Sequence, residues 1–257
     1  MRDISNEKLL VYIVAYNASS HIKDVFDDID CAELGQYEIL VSDDKSSDDT
    51  SEVIAKYIKN NPGKNIKLVT QKKNLGYGGN QKFGYRYAID NGFYAVVLIH
   101  GDGQYCPKLI PQMTKPILEK DVCVMLGSRM IIKKSALQGG MPLYKFVGNI
   151  VLTKIQNFIL GAKLSEYHTG LRAYKVEALS RIPFEHNSDG FSFDTDILIQ
   201  LIDRKLSMEE IHIPTHYGDE ICRVNGVKYA INIILSTLLS RVQRFGLCNM
   251  KKFRIND

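Results

Sequence analysis

Apolar runs at residues 9–15, 38–42, 66–70, 95–99 and 122–126 punctuate the first half of the chain, and each gives way to a polar or glycine-rich cluster. The clusters are Tyr16-Asn17, Asp43-Asp44, residues 74–79, His100-Gly101-Asp102-Gly103-Gln104 and Gly127-Ser128-Arg129. Short continuous runs rich in Val, Ile and Leu predict strands buried on both faces. Helical patterns fill the gaps. One runs from Ser19 or Ser20 to about Asp30, one over 48–59 with Ser47 as cap, one over 81–91 stopped by Gly92, and one after Pro107 interrupted by Pro111 and Pro116. This alternation predicts an α/β fold with a mostly parallel, doubly wound sheet flanked by helices. Such sheets bind ligands beyond the carboxyl ends of their strands. The five clusters are therefore expected to share one pocket, and an enzyme is the expected class.

Past Gly127 the rhythm changes. Residues 131–140 read as a basic, glycine-ended loop, 142–160 as a long helix with proline near its start, and 193–204 as another helix. A short segment lies around 167–174, a strand is expected near 208–213, and a last helix runs from about Gly226 to Phe245. With no repeat and no low-complexity linker, one domain is expected. Apolar and charged fractions of 45% and 24% are those of a soluble globular protein, and the net charge of +4 is too weak to argue for nucleic acid. Five cysteines without paired spacing fit neither a zinc knuckle nor a disulfide framework, so a reducing, cytoplasmic compartment is expected. The N-terminus has no signal-peptide pattern, and no apolar stretch approaches the roughly 18 residues of a spanning helix.

The pentapeptide at 100–104 carries the sharpest local signal. A hard divalent cation held against a diphosphate takes one or two protein oxygens and leaves the rest to phosphate and water. Asp102 and Gln104 suit that role, and His100 adds a nitrogen acceptable to Mn²⁺; an Asp-Gly turn is the alternative. Asp43 and Asp44 precede a helix cap, where a carboxylate can accept from a base N–H, whereas Asp48 and Asp49 read as partners of the helix dipole. Glycines in 74–79 either admit a ligand close to the backbone or form a plain turn. No Gly-x-Gly-x-x-Gly follows the first strand, which argues against a dinucleotide.

Taken in order, Ala15-Tyr16-Asn17, residues 41–50 and 74–84, Asp102-Gly103-Gln104, Gly127-Ser128-Arg129, His168-Thr169-Gly170-Leu171-Arg172 and Arg223-Val224-Asn225-Gly226-Val227-Lys228 resemble family 2 glycosyltransferases. The likeness is to the dolichyl- or polyprenyl-phosphate mannose/glucose synthase branch and covers residues 8–230. It implies a GT-A (Rossmann-like) fold, a UDP- or GDP-linked sugar donor, a divalent cation (Mn²⁺ or Mg²⁺) and inversion at the anomeric carbon. Ala15, Tyr16, Asn17, Asp43 and Asp44 would hold the nucleoside, with Asn74, Gly76, Gly79, Lys82 and Gly101 completing the donor site. Asp102 matches the second aspartate of the family's Asp-x-Asp signature and Gln104 the glutamine two residues on. His100 stands where the first aspartate usually lies, so a less acidic metal site is expected. Arg223 and Lys228 match a basic pair in a mobile loop that closes over the diphosphate. Arg129 and Arg172 match positions near the sugar or acceptor, or serve as structural ion-pair partners.

The resemblance divides the single domain into a donor half at 8–128, an acceptor half at 129–230 and a C-terminal helix with basic tail at 226–257. A lipid-phosphate acceptor is already anionic, whereas a glycan hydroxyl requires a base, for which Glu166, Asp194 and Asp196 are available and none stands out. A nucleotide-sugar-binding subunit with little catalysis is a third reading. Positions 227, 230, 231, 234, 235, 238, 242 and 245 follow helical spacing beside the basic tail. That stripe fits peripheral contact with the inner face of a membrane, packing on the sheet, or a homo-oligomer seam.

Overall fold

Leu9–Ala15 forms β1, and its alternate side chains enter two different cores. Val11 and Ile13 face one side, while Leu10 and Tyr12 face the other, all of them fully buried. A strand buried on both faces explains why the run is continuously apolar. The computed structural model describes residues 7–30, 32, 36–215 and 225–254. Six further strands complete the sheet: β2 (Tyr37–Asp43), β3 (Ile66–Thr70), β4 (Ala95–His100), β5 (Val124–Ser128), β6 (Arg172–Lys175) and β7 (Met208–His212).

Their spatial order is β3-β2-β1-β4-β6-β5-β7, with β6 antiparallel to both neighbours and every other pairing parallel. The chain moves outward from β1 to β2 and β3, then crosses back to place β4 on the other side of β1. This reversal is a topological switch point, where an open α/β sheet leaves a crevice at its carboxyl edge. The expected mostly parallel α/β architecture is therefore present, with an antiparallel strand inserted between β4 and β5.

On one face lie α1 (Ile22–Asp30), α2 (Thr50–Asn60) and α4 (Ile110–Lys120). On the other lie α3 (Tyr77–Asp90), α7 (Val176–Ser180) and α8 (Phe193–Asp203). Residues 131–140, expected as loop, contain the short helix α5 (Lys133–Gln138), and α6 (Leu143–Leu160) follows. The last helix, α9 (Gly226–Arg244), packs on α6 and α8. α3 begins four residues before its expected start because Gly78 and Gly79 lie inside its first turn. β5 lies two residues later than the apolar run suggested, and Cys123, which precedes it, is only partly buried.

Gly84 shows why one helix must carry a glycine. A Cβ there would lie 2.1–2.3 Å from the ring of Tyr12, whose hydroxyl donates to the Asn80 carbonyl at 2.6 Å. Helix propensity alone favours alanine by about 1 kcal/mol. The clash is with a fully buried ring that cannot swing away, and such overpacking costs about 1–3 kcal/mol. Gly84→Ala is therefore expected to lower the urea midpoint; a raised midpoint would show that the ring relaxes.

Candidate active site

The carboxyl ends of β1, β2 and β4 are locked in register, with Ala15 opposite Asp43 and Val14 opposite His100. Backbone bonds continue past the strands: Asp44 N–H donates to Ala15 O and Gly101 N–H to Val14 O, each at 2.9 Å. Three of the five clusters thus meet at the switch-point crevice. Asn17, in the left-handed region at φ 51°, accepts from Ser47 N–H at 2.8 Å and donates its own N–H to Ser46 Oγ. Tyr16 beside it is exposed.

Asp43 and Asp44 are nearly fully buried. Asp43 accepts from Ser46 and Ser51, which knits the β2–α2 loop to its own carboxylate. Asp44 accepts from Leu75 N–H at 2.6 Å and Gly76 N–H at 3.0 Å, while Asn74 Nδ2 donates to its carbonyl. Burial raises the Asp44 carboxyl above the usual carboxylate range and the Asp43 charge adds to this, against the two N–H bonds. Both carboxylates keep lone pairs beyond the bonds described, as a base N–H requires.

The glycine segment serves a different partner from the one its sequence suggested. A Cβ on Gly76 would meet Asp189 O at 2.7 Å, and one on Gly78 would meet Ser188 O at 2.3 Å. Gly79 also lies against Asp189. Lys82 donates to Asn187 O and pairs with Asp189 at 2.7 Å. These residues clamp the loop before α8 onto the start of α3. The close backbone approach is to protein.

His100 ends β4 in an aromatic cage, with Tyr77 and Tyr105 edge-on at ring distances of 5.6 and 5.1 Å. Gly170 closes the cage, since a Cβ there would lie 2.5 Å from the imidazole. The Tyr77 hydroxyl has one proton, and it points at the Asp194 carboxylate at 2.9 Å. His100 Nε2, 3.2 Å from the same oxygen, must then carry the hydrogen that completes this bond, so its lone pair is on Nδ1. Burial lowers the His100 pKa against the pull of Asp102 and Asp194, which keeps the ring neutral. Asp102 itself is exposed, accepts from Gln104 N–H at 3.0 Å, and is followed by Gly103 at φ 74°. The turn and the strand-end carboxylate are one feature.

Among the described residues no three His, Cys, Asp or Glu side chains gather into a metal cage. The set at 100–104 offers one carboxylate, one amide oxygen and one neutral imidazole. That inventory fits a cation shared with a diphosphate, whose oxygens and water fill the remaining positions.

Arg129 and Arg172 have their guanidinium groups engaged within the protein. Arg129 is paired with the fully buried Glu166, also donates its backbone N–H to that carboxylate at 2.7 Å, and reaches His168 O. Asn149 of α6 adds a third donor to Glu166 at 2.7 Å. Burial alone would raise the Glu166 carboxyl, but the Arg129 and Asn149 donors outweigh it and hold it below its usual range. A depressed folded-state pKa stabilises above the unfolded value of about 4.3 and stops doing so as pH falls through the folded one. Glu166→Gln is thus expected to lower the melting temperature at neutral pH and to flatten its fall below about pH 5; melts across acid pH read both.

Arg172 is fully buried and donates to Thr169 O, Tyr167 O and Asp194 O at 2.8–2.9 Å, with the Asp194 carboxylate 3.5 Å away. Lys228 is exposed in the first turn of α9, a helix and no loop, capped by Asn225, whose side chain accepts from Lys228 N–H at 3.1 Å. Arg223 lies outside the described residues. Sequence reasoning missed Tyr77, Tyr105 and Tyr229. The last meets His168 Nδ1 at 3.1 Å, and burial pushes that histidine down to about 4. The only signal was the His-Thr-Gly-Leu-Arg motif itself, whose glycine abuts His100.

Among proteins of known sequence, the chain is 27% identical over 248 residues to the UDP-N-acetylglucosamine–dolichyl-phosphate N-acetylglucosaminyltransferase of Methanococcus voltae, covering 92% of this chain and 97% of that protein. It is 24% identical over 212 residues to the polyprenol monophosphomannose synthase of Mycolicibacterium smegmatis, covering 80% and 77%. Glucosyl-3-phosphoglycerate synthase of Mycobacterium tuberculosis, solved with Mn²⁺, UDP-glucose and phosphoglyceric acid, superposes with a TM-score of 0.64 at 18% identity, over 95% of this chain and 82% of that one. That likeness shows a shared GT-A fold. The glycosyl transferase family 2 model matches residues 10–182, more than half of the chain, and the protein belongs to that family.

Proposed function

We propose that the protein transfers a sugar from a nucleotide-sugar donor, with inversion, to a polyprenyl phosphate. The observation that carries the acceptor is the state of the three carboxylates that a hydroxyl acceptor would need as a base. Glu166 is held by Arg129 and Asn149; Asp194 accepts from Tyr77 and Gln81 beside Arg172; Asp196 is paired with Lys252 and accepts from Ser236 and Ser188 N–H. Each of these carboxylates already has protein donors on its oxygens, which leaves none of them turned over to an incoming hydroxyl. A phosphate monoester brings its own charge and asks for none.

On the donor side Tyr16, Asn17, Asp43 and Asp44 would hold the nucleoside, and Asp102, Gln104 and His100 would hold the cation. When bound, the cation supplies charge neutralisation to the departing diphosphate. Tyr77 and Asp194 fix the His100 ring, and the basic pair Arg223 and Lys228 would add positive charge to the diphosphate. The donor named for the Methanococcus relative supports uridine as the base. A nucleotide-sugar donor puts the reaction on the cytoplasmic side of the membrane. No helix among the described residues is long and apolar enough to cross it.

The test is transfer from radiolabelled UDP-sugars, with Mn²⁺ or Mg²⁺, to a detergent-dispersed polyprenyl phosphate and to the matching polyprenol. Label in the organic phase with the phosphate and none with the alcohol is expected. Transfer to a glycan hydroxyl alone, or UDP binding without turnover, would replace this reading.

A further inference from the structure

Two helices, α6 and α9, bury polar side chains and expose apolar ones. α6 buries Asn149, Thr153 and Gln156 and exposes Tyr144, Val151 and Phe158, the last at 91%. α9 buries Ser236, Thr237 and Ser240 beside Ile233 and exposes Ile231 and Leu235, and Phe245, which caps its end, is 77% exposed. An amphipathic helix of a soluble domain normally does the reverse. The inward polar groups have work there: Asn149 holds Glu166, and Ser236 reaches Asp196. The outward apolar stripes are left exposed to solvent among the described residues. Since α6 and α9 pack on each other, and α5 on α6, the stripes belong to one contiguous set of helices.

Charge selects the occupant. Residues 131–163 contain five lysines and no Asp or Glu, and residues 225–254 contain six basic residues and no Asp or Glu. Arg241 and Lys252 pair with Asp203 and Asp196, which leaves both segments still net positive. A second copy would set like charge against like. An anionic bilayer accepts both properties at once, the apolar stripes at the acyl boundary and the lysines and arginines among the headgroups.

We infer that the α5–α6–α9 face docks this protein on an anionic lipid surface. The same helices brace the acceptor-side loops, Asn149 through Glu166 and Tyr229 through His168, so docking sets the site at headgroup level. The inference deepens the lipid-phosphate reading above, but its test requires no transfer.

The full chain is floated with vesicles of phosphatidylcholine alone and of phosphatidylcholine mixed with phosphatidylglycerol. Binding to the anionic vesicles, reduced at least about tenfold by high salt or by neutral lipid, is expected. The double variant Phe158→Glu/Leu235→Glu should lose vesicle binding to a similar degree, about tenfold or more, while its melting temperature, UDP affinity and transfer in detergent stay as wild type. Failure of the wild type to float would overturn the inference, as would unchanged flotation of the variant. So would light scattering that finds a wild-type dimer which the variant dissociates. If transfer in detergent persists while flotation fails, docking alone is refuted; if flotation holds without transfer, the acceptor assignment is what falls.

Discussion

Asp102→Ala is expected to reduce sugar transfer by roughly 10²–10³-fold, the loss typical of removing one group that stabilises developing charge. The variant should fold normally. Asp102 is exposed at the end of β4, and its one hydrogen bond described, from Gln104 N–H, closes a turn that Gly103 already favours through its positive φ. Surface changes of this kind shift stability by about 0.5 kcal/mol or less. The two readouts therefore separate: initial rates with saturating Mn²⁺ and UDP-sugar should collapse while the thermal melt stays in place. Calorimetry adds a third, because Mn²⁺ should cease to strengthen UDP binding. Wild-type turnover in this variant would remove the cation from the 100–104 segment and with it the donor-site assignment.

The centre of the sheet was legible because β1, β4 and β5 are buried on both faces and so write themselves as short apolar runs, whereas the outer strands β3 and β7 are partly exposed. The donor-side clusters were legible for a related reason. The carboxyl ends of β1, β2 and β4 meet at the switch-point crevice, so residues placed directly after those strands are brought together there. β6 was not legible. Its four residues, Arg-Ala-Tyr-Lys, look polar although all are buried, the arginine pairing with the buried Asp194 and the lysine with the exposed Asp121, and an antiparallel insertion between β4 and β5 leaves no local trace. The glycines at 76–79 were misleading because sequence cannot say whose backbone comes close; the answer is Asp189, more than 100 residues away. The apolar stripe of α9 was visible as a period, but which way it faced was not. That depended on Ser236 and Ser240, polar residues opposite the stripe that the fold places inside.

Arg172→Leu is expected to cost about 3–5 kcal/mol of stability, because it breaks a buried ion pair from one side. The sequence motif placed this arginine near the sugar or acceptor, but its guanidinium is fully buried and donates to three carbonyls, those of Thr169, Tyr167 and Asp194. Leucine would leave those carbonyls without their donor, and the Asp194 carboxylate would remain buried with only Tyr77 and Gln81 as donors described. A urea titration should show the midpoint falling with the m-value unchanged. Neutralising the orphan, as Arg172→Leu/Asp194→Asn, should recover part of the loss, since an unpaired buried charge is the larger penalty. The alternative has a distinct signature: a variant that keeps wild-type stability but loses affinity for the lipid phosphate would mean that Arg172 reaches the acceptor directly. The geometry argues for the first outcome. A side chain with no exposed surface and its donors met by the carbonyls of Tyr167, Thr169 and Asp194 acts on the acceptor only through the loop it shapes, the loop whose Gly170 closes the cage around His100.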